Sequence, residues 1–110
     1  MTEAGKLDLI TLIVERGEAD KTVKAALESG AHGATIFFAR GTGVRERLGR
    51  LGFLIQPEKE VILIVTPREI TQQVFEAAIK VARLEEPGRG FAYIQEVSHA
   101  VGFVEQLKKP

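Results

Sequence analysis

Two glycine-bearing stretches are the places where this chain could hold an anion: Gly41-Thr42-Gly43 and Pro87-Gly88-Arg89-Gly90. Glycine lets backbone N–H groups turn toward phosphate oxygens, and an arginine can fork onto the same oxygens. Neither stretch has the spacing and the Gly-Lys-Ser/Thr end of a Walker loop, and neither is a dinucleotide fingerprint. Gly88, Arg89 and Gly90 are the better placed, because they directly precede an apolar run that reads as a strand. The same residues also make an ordinary turn.

The second chemical feature is the long connection from Arg40 to Glu60. Arg40, Arg45, Arg47 and Arg50 face a single acid, Glu46, before an apolar patch begins at Leu51 and continues through Phe53, Leu54 and Ile55. Arginines beside exposed apolar residues suit a partner surface, so Arg45, Arg47, Arg50, Leu51 and Phe53 are the partner-binding candidates. A hairpin that folds back on the body accounts for the same composition.

Catalytic chemistry has little to stand on. His32 and His99 lie far apart, with no cysteine anywhere and no metal-ligand spacing. Each reads as a structural or solvent-exposed histidine. Glu58, Glu60, Glu85 and Glu86 read as solvated loop charge, although an enzyme could pair acids across a sheet. The Arg45–Arg50 cluster could attract nucleic acid, but stacking aromatics are sparse, and Phe91 and Tyr93 are more economically core or interface. Fifteen basic and fifteen acidic side chains in 110 residues cancel, so composition argues against wholesale nucleic-acid or membrane binding. The polar start, the absence of a bilayer-length apolar run and the absence of cysteine predict a cytoplasmic protein of one domain over 1–110.

The elements that must position these residues are legible from periodicity. LDLITLIV (7–14) is apolar and β-branched, which suits a central strand. Ala19, Val23, Ala26 and Leu27 then recur on one helical face, with Lys21, Lys24 and Glu28 turned to water, predicting a helix over 19–29 that lies on the first strand and ends at Gly30. ATIFFA (34–39) and VILIV (61–65) predict the second and third strands. Thr66, Pro67 and Glu69 predict a capping box opening a helix over 67–84 with a broad apolar stripe. EEPGRG (85–90) is a turn, and FAYIQEV (91–97) a fourth strand with Phe91, Tyr93, Gln95 and Val97 on one side.

This order, β-α-β, long loop, β-α-β, is most economically an α+β ferredoxin-like split βαβ domain: an antiparallel sheet with both helices on one face. The other face is apolar enough to need a cover. Association of subunits with sheet faces inward is the physical expectation, and a dimer or a trimer satisfies it.

The chain resembles the nitrogen-regulatory P-II family of signal-transduction proteins over about 9–99. ALESGAHGATIFFARGTG (26–43) is similar to the family's AL...GI.GMTV..V.G.G pattern, PGRGFAYIQEV (87–97) to its G.GKIF....V pattern, and TPRE after VILIV to its strand–helix junction. The resemblance implies a homotrimer that binds ATP or ADP in the clefts between subunits. It also implies regulation of an enzyme, a transporter or another regulator through the loop over 40–60, with no nucleic acid, and membrane association only through a partner. Carried over, Gly33 and Thr35 match the GMT part, Gly41 and Gly43 the base of the long loop, and Gly88 and Gly90 the phosphate-side turn.

The departures are specific. The family's phosphate-binding lysine falls on Phe91, and its two C-terminal arginines fall on Gly102 and Val104. Arg89 is the candidate substitute cation. The loop is shorter by about five residues than the family pattern, has neither tyrosine nor serine to modify, and carries Gln56 near the wrong end for the family's magnesium and 2-oxoglutarate site. The expected function is therefore a non-enzymatic, trimeric P-II-like regulator that senses a small anionic effector such as an adenine nucleotide. A small trimeric enzyme or metal-tolerance protein of the same fold, and a ligand-free structural interaction module, are the alternatives.

Overall fold

In the computed structural model, which describes residues 6–41 and 58–103, the first apolar run becomes β1 (Leu7–Glu15), a strand paired on both sides. One neighbour is β3 (Glu58–Pro67), in register from Leu7↔Pro67 to Glu15↔Lys59. The other is β4 (Gly90–Val97), from Leu7↔Val97 to Val14↔Gly90. β2 (Thr35–Arg40) adds to the outer side of β3, from Thr35↔Leu63 to Arg40↔Glu58. Every pair is antiparallel and the order is β2-β3-β1-β4. With helices α1 (Ala19–Glu28) and α2 (Arg68–Ala82), this is the ferredoxin-like β-α-β-β-α-β arrangement.

The period of two along the central strands decides where the core sits. Ile10, Leu12 and Val14 of β1 and Ile62 and Ile64 of β3 point to the helices and are almost wholly excluded from solvent. Burying each of these large side chains contributes about 1.5–3 kcal/mol. The helices answer with small residues, Ala19, Ala26, Ala78 and Ala82, beside Val74, which lets their backbones approach the sheet. On the other side of the sheet, Phe37, Phe91 and Tyr93 stand exposed around Leu9, Ile13, Leu63 and Val65, and no element of the described residues covers them.

Several local expectations need correction. Leu27 is exposed, and Thr22 takes the buried place on α1, its hydroxyl donating back to the Glu18 carbonyl at 2.8 Å. α1 packs mainly on α2 and β3 rather than on β1, because β3 is inserted between β1 and β2 and comes to lie beneath the crossover. β3 is longer than VILIV at both ends. Thr66 belongs to it and does not cap α2: Pro67, in extended conformation, holds the cap position without a side-chain bond. α2 stops at Ala82, where Arg83 turns left-handed at φ 56°.

The hydroxyl of Thr66 is drawn instead into a buried network at the end of the sheet where β1 begins. Thr66 and Thr71 share a hydrogen bond of 2.7 Å between their hydroxyls. Asp8, 4% exposed, accepts from the Thr71 hydroxyl at 2.7 Å and from two nitrogens along one edge of the Arg68 guanidinium, at 2.8 Å from Nη2 and 3.2 Å from Nε. The Arg68 backbone N–H also donates to the Lys6 carbonyl at 3.0 Å. Strand start and helix start are thereby fastened together by charged hydrogen bonds, which are stronger than neutral ones.

A comparable device holds α1. No side chain of its own cap accepts from its first turn. Glu60, reaching up from β3, accepts from the Ala19 backbone N–H at 2.8 Å and places a carboxylate at the positive end of the helix. Glu60→Ala is expected to lower stability by about 1 kcal/mol, with Glu60→Gln keeping part of the loss back. Urea unfolding of the three proteins at one protomer concentration measures this, and equal midpoints would dismiss the cap.

Candidate functional site

β1 and β2 run in the same direction and end at the same end of the sheet, where β3 and β4 begin. That end gathers Glu15 and Arg16 after β1, Arg40 and Gly41 after β2, Glu58 and Lys59 at the start of β3, and the Gly88–Gly90 turn before β4. Gly41 and the Gly88–Gly90 turn, from the two stretches that read as anion-binding candidates, therefore share one rim of the molecule.

The Gly88–Gly90 turn is tightly built. Leu84 N–H donates to the Ile79 carbonyl at 3.1 Å, Glu86 N–H to the Arg83 carbonyl at 3.1 Å, and Arg89 N–H to the Glu86 carbonyl at 3.3 Å. Gly88 has φ 81° and Gly90 φ 150°, conformations that glycine adopts without steric cost. At Gly90 a side chain also has no room: an added Cβ would overlap the Ile13 carbonyl oxygen and lie 2.9 Å from Leu84 Cδ2.

Arg89, the candidate cation, is turned inward. Its side chain is 17% exposed, with Nη1 at 3.4 Å from Glu15 Oε1 and Nε at 3.6 Å from Glu86 Oε1. Nε makes no hydrogen bond of its own. Phe91, next along β4, projects from the helix-free face at 62% exposure, its ring centroid 5.5 Å from that of Tyr93.

At the β2 edge the rim has a different character. Arg16 Nη1 donates to Glu58 Oε1 at 2.8 Å across exposed surface. Phe38, 75% exposed, stands with Ala39, Arg40, Arg16 and Glu58 around an open cleft of about 420 Å³. Gly41 is half-buried, and a Cβ there would sit 3.9 Å from Lys59 Cγ, ordinary contact.

Two of the remaining sequence candidates, Gly33 and Thr35, do not join this rim within one chain. Thr35 is exposed opposite Leu63, half-way along the sheet and on the helix-free face, about 20 Å of strand from Gly41. Gly33 is exposed before β2, with open space where a Cβ would be. Gly41 and Gly90 share the rim but occupy its two edges, with β3 and β1 between them, a separation of about 14 Å at ordinary strand spacing. Gly43, Arg45, Arg47, Arg50, Leu51 and Phe53 lie outside the described residues.

Sequence reasoning did not find the carboxylates that hold Arg89. Glu15 is 74 positions away from it, and no local pattern announces the contact. His32 meets the ring of Phe103 edge-on at 6.4 Å, a structural contact. Among the described residues no group of three His, Asp or Glu side chains is arranged to hold a metal, and no helix is long and apolar enough to cross a membrane.

A family model described as nitrogen regulatory protein P-II matches residues 7–104. Among solved structures, Arabidopsis thaliana PII bound to citrate is similar at 23% identity with a TM-score of 0.66, over 89% of this chain and 83% of that one. A B. subtilis GlnK–ATP complex is similar at 22% identity and a TM-score of 0.66, over 88% and 86%. A Bacillus cereus protein related to NIF3 shares the fold at 19% identity and a TM-score of 0.69, this chain spanning 27% of its length. No curated protein matches the chain.

Proposed function

Because the chain belongs to the nitrogen-regulatory P-II family, whose members are non-catalytic regulatory proteins, we propose that it is a cytoplasmic, homotrimeric signalling protein. It senses an adenine nucleotide and acts on an enzyme, transporter or other regulator through the segment over 40–60. The observation that carries this reading is the placement of Gly41 and the Gly88–Gly90 turn on one rim but at opposite edges of the sheet. A site using both is incomplete in one chain. In a closed ring of copies, the β4 edge of one subunit meets the β2 edge of the next, and the two halves face each other.

The apolar helix-free face supports the same assembly, since Phe37, Phe91 and Tyr93 lie on it and subunits packed with that face inward would cover them. The proposed mechanism follows from position. Gly41 is the last described residue before the long connection, so a ligand seated against it bears on the base of the segment that meets the partner. Differential affinity for two arrangements of that base is what would turn binding into a signal. In the related structures, citrate is bound to the Arabidopsis protein and ATP to GlnK. Both ligands are small anions, as this reading requires.

Calorimetric titration with ATP, ADP and AMP, paired with mass measurement in solution, tests it. A trimer that binds an adenine nucleotide below millimolar concentration is the expected result. A monodisperse monomer overturns the shared-edge site. A trimer that gives no heat with any of the three leaves an interaction module without this ligand.

A further inference from the structure

We propose that the open cleft on the helix side of the β2 edge docks an acidic, aromatic-bearing segment of the regulated partner, with Phe38 taking the aromatic side chain and Arg40 the carboxylate. The proposal rests on the partner-binding part of the reading above and adds to it a surface on the body of the domain. Ile36 stands opposite buried Ile62, and Phe38 stands opposite Glu60, whose carboxylate meets the start of α1, so Ile36, Phe38 and Arg40 share the helix side of β2. Because α1 leans toward α2 and β3, it leaves this row exposed, Ile36 at 38% and Phe38 at 75%. Subunits packed with the helix-free face inward keep it facing outward.

The charges around Phe38 are unevenly satisfied. Arg40 faces Glu58 directly across the β2–β3 ladder, a position from which opposite charges pair favourably. Glu58 is taken instead by Arg16, which reaches in from the β1–α1 connection and donates to Oε1 at 2.8 Å. Glu60 is held by the Ala19 backbone N–H at 2.8 Å. Among the described residues Arg40 forms no ion pair, and it lines the cleft together with Phe38. Arg16 is thus a positioning residue: by keeping Glu58, it keeps Arg40 available.

An aromatic ring standing clear of the surface beside an unpaired guanidinium is a combination that anchors protein partners, since aromatic and arginine side chains carry a large share of interface energy. The guanidinium forks onto a carboxylate, and the ring packs edge-on or offset against an aromatic neighbour of that acid. With Phe38 so exposed, the cleft of about 420 Å³ does not enclose a small molecule, whose sites bury most of the ligand surface. A chain laid across it does close it. Position points to the same occupant: Arg40 and Glu58 form the last pair of the β2–β3 ladder before the connection that meets the partner, so a partner gripping that connection also lies beside this cleft.

Fluorescence anisotropy on the full chain tests this with a labelled short peptide of alternating aspartate and phenylalanine, set against peptides in which lysine replaces the aspartates or alanine the phenylalanines. The acidic aromatic peptide is expected to bind about ten-fold more tightly than either, and its margin over the lysine peptide should shrink as salt rises. Phe38→Ser and Arg40→Gln should each weaken it about ten-fold. Val101→Ser, at an exposed apolar position beyond the other end of the sheet, should leave it unchanged. Arg16→Gln should weaken binding because the released Glu58 turns to Arg40, and adding Glu58→Gln to Arg16→Gln should restore it, a rescue that a merely structural role for Arg16 does not give. Equal affinity for the acidic and lysine peptides, or a Phe38→Ser protein that binds as tightly as the parent, overturns the proposal. So does a changed assembly mass for Phe38→Ser, which would make the cleft a contact between copies. A trimer that binds an adenine nucleotide but not the acidic peptide overturns this proposal alone, whereas a monomer that binds the peptide overturns the shared-edge site and leaves this cleft in place.

Discussion

Gly90→Ala is expected to destabilise the protein by about 3–5 kcal/mol, the largest effect of any single methyl group that the described residues predict. Two costs combine. The backbone at Gly90 has φ 150°, which an L side chain rarely adopts, and the new Cβ would overlap the Ile13 carbonyl oxygen and crowd Leu84 Cδ2 at 2.9 Å. Ile13 cannot retreat easily, because β1 is paired on both sides. Leu84 is the more compliant neighbour. Since a domain of this size has about 5–15 kcal/mol of stability, the variant should sit near the edge of folding at 37 °C. Gly33→Ala is the control: nothing lies within 4 Å of its added Cβ, and its φ is not in the left-handed range. It should stay within about 0.5 kcal/mol of the parent. Urea midpoints at equal protomer concentration compare the three, and a Gly90→Ala protein within 1 kcal/mol of the parent would show that the turn relaxes freely.

The second large effect is at Asp8. Asp8→Asn keeps the shape but removes the charge that accepts from Arg68 and Thr71, and a loss of about 2 kcal/mol near neutral pH is expected. It also changes how stability depends on pH. The hydrogen bonds from Arg68 hold the Asp8 carboxyl below its ordinary value, burial pushes the other way, and the Thr71 hydroxyl and the Arg68 charge add to the lowering. A carboxylate whose folded pKa is depressed stabilises the fold fully above its unfolded value of about 3.9, and that contribution disappears as pH falls through the lowered folded value. The parent should therefore lose stability more steeply than Asp8→Asn below about pH 5, and the two curves should converge in acid. Parallel curves from pH 6 to pH 2.5 would mean that Asp8 is not the group responsible. Glu96, beside Arg68 at 3.7 Å and opposite Asp8 on β4, is the other carboxylate to check by the same substitution.

The candidate site was legible in part. The glycine stretches and their neighbouring strands follow from residue types that turns and anion sites favour, and Gly41 and the Gly88–Gly90 turn lie at the same end of the sheet. Their separation across the sheet was not legible, because strand order is decided by which edges pair, not by distance along the chain. Arg89 shows the same limit. A guanidinium beside two glycines reads as available for a ligand. In the folded chain two carboxylates, one from the far end of β1, have already reached it.

What the residues determined alone were the elements and their order. The apolar runs of β1 and β3, the spacing of Ala19, Val23 and Ala26, and the alternation of β4 are short-range patterns, and backbone geometry converts each directly into a strand or a helix face. That order of elements admits few folds, and the ferredoxin-like one was among them. The tertiary structure decided everything that depends on who arrives from elsewhere. Thr66 could cap α2 by its own sequence, yet its hydroxyl is taken by Thr71, which Asp8, 63 positions away from Thr71, also engages. Glu60 looked like loop charge and became the acceptor at the start of α1. Leu27 fitted the buried stripe and lies in solvent, because α1 leans toward α2 and β3. Pairings over such separations follow from register and sheet order, and those are properties of the assembled sheet that no window of the sequence contains.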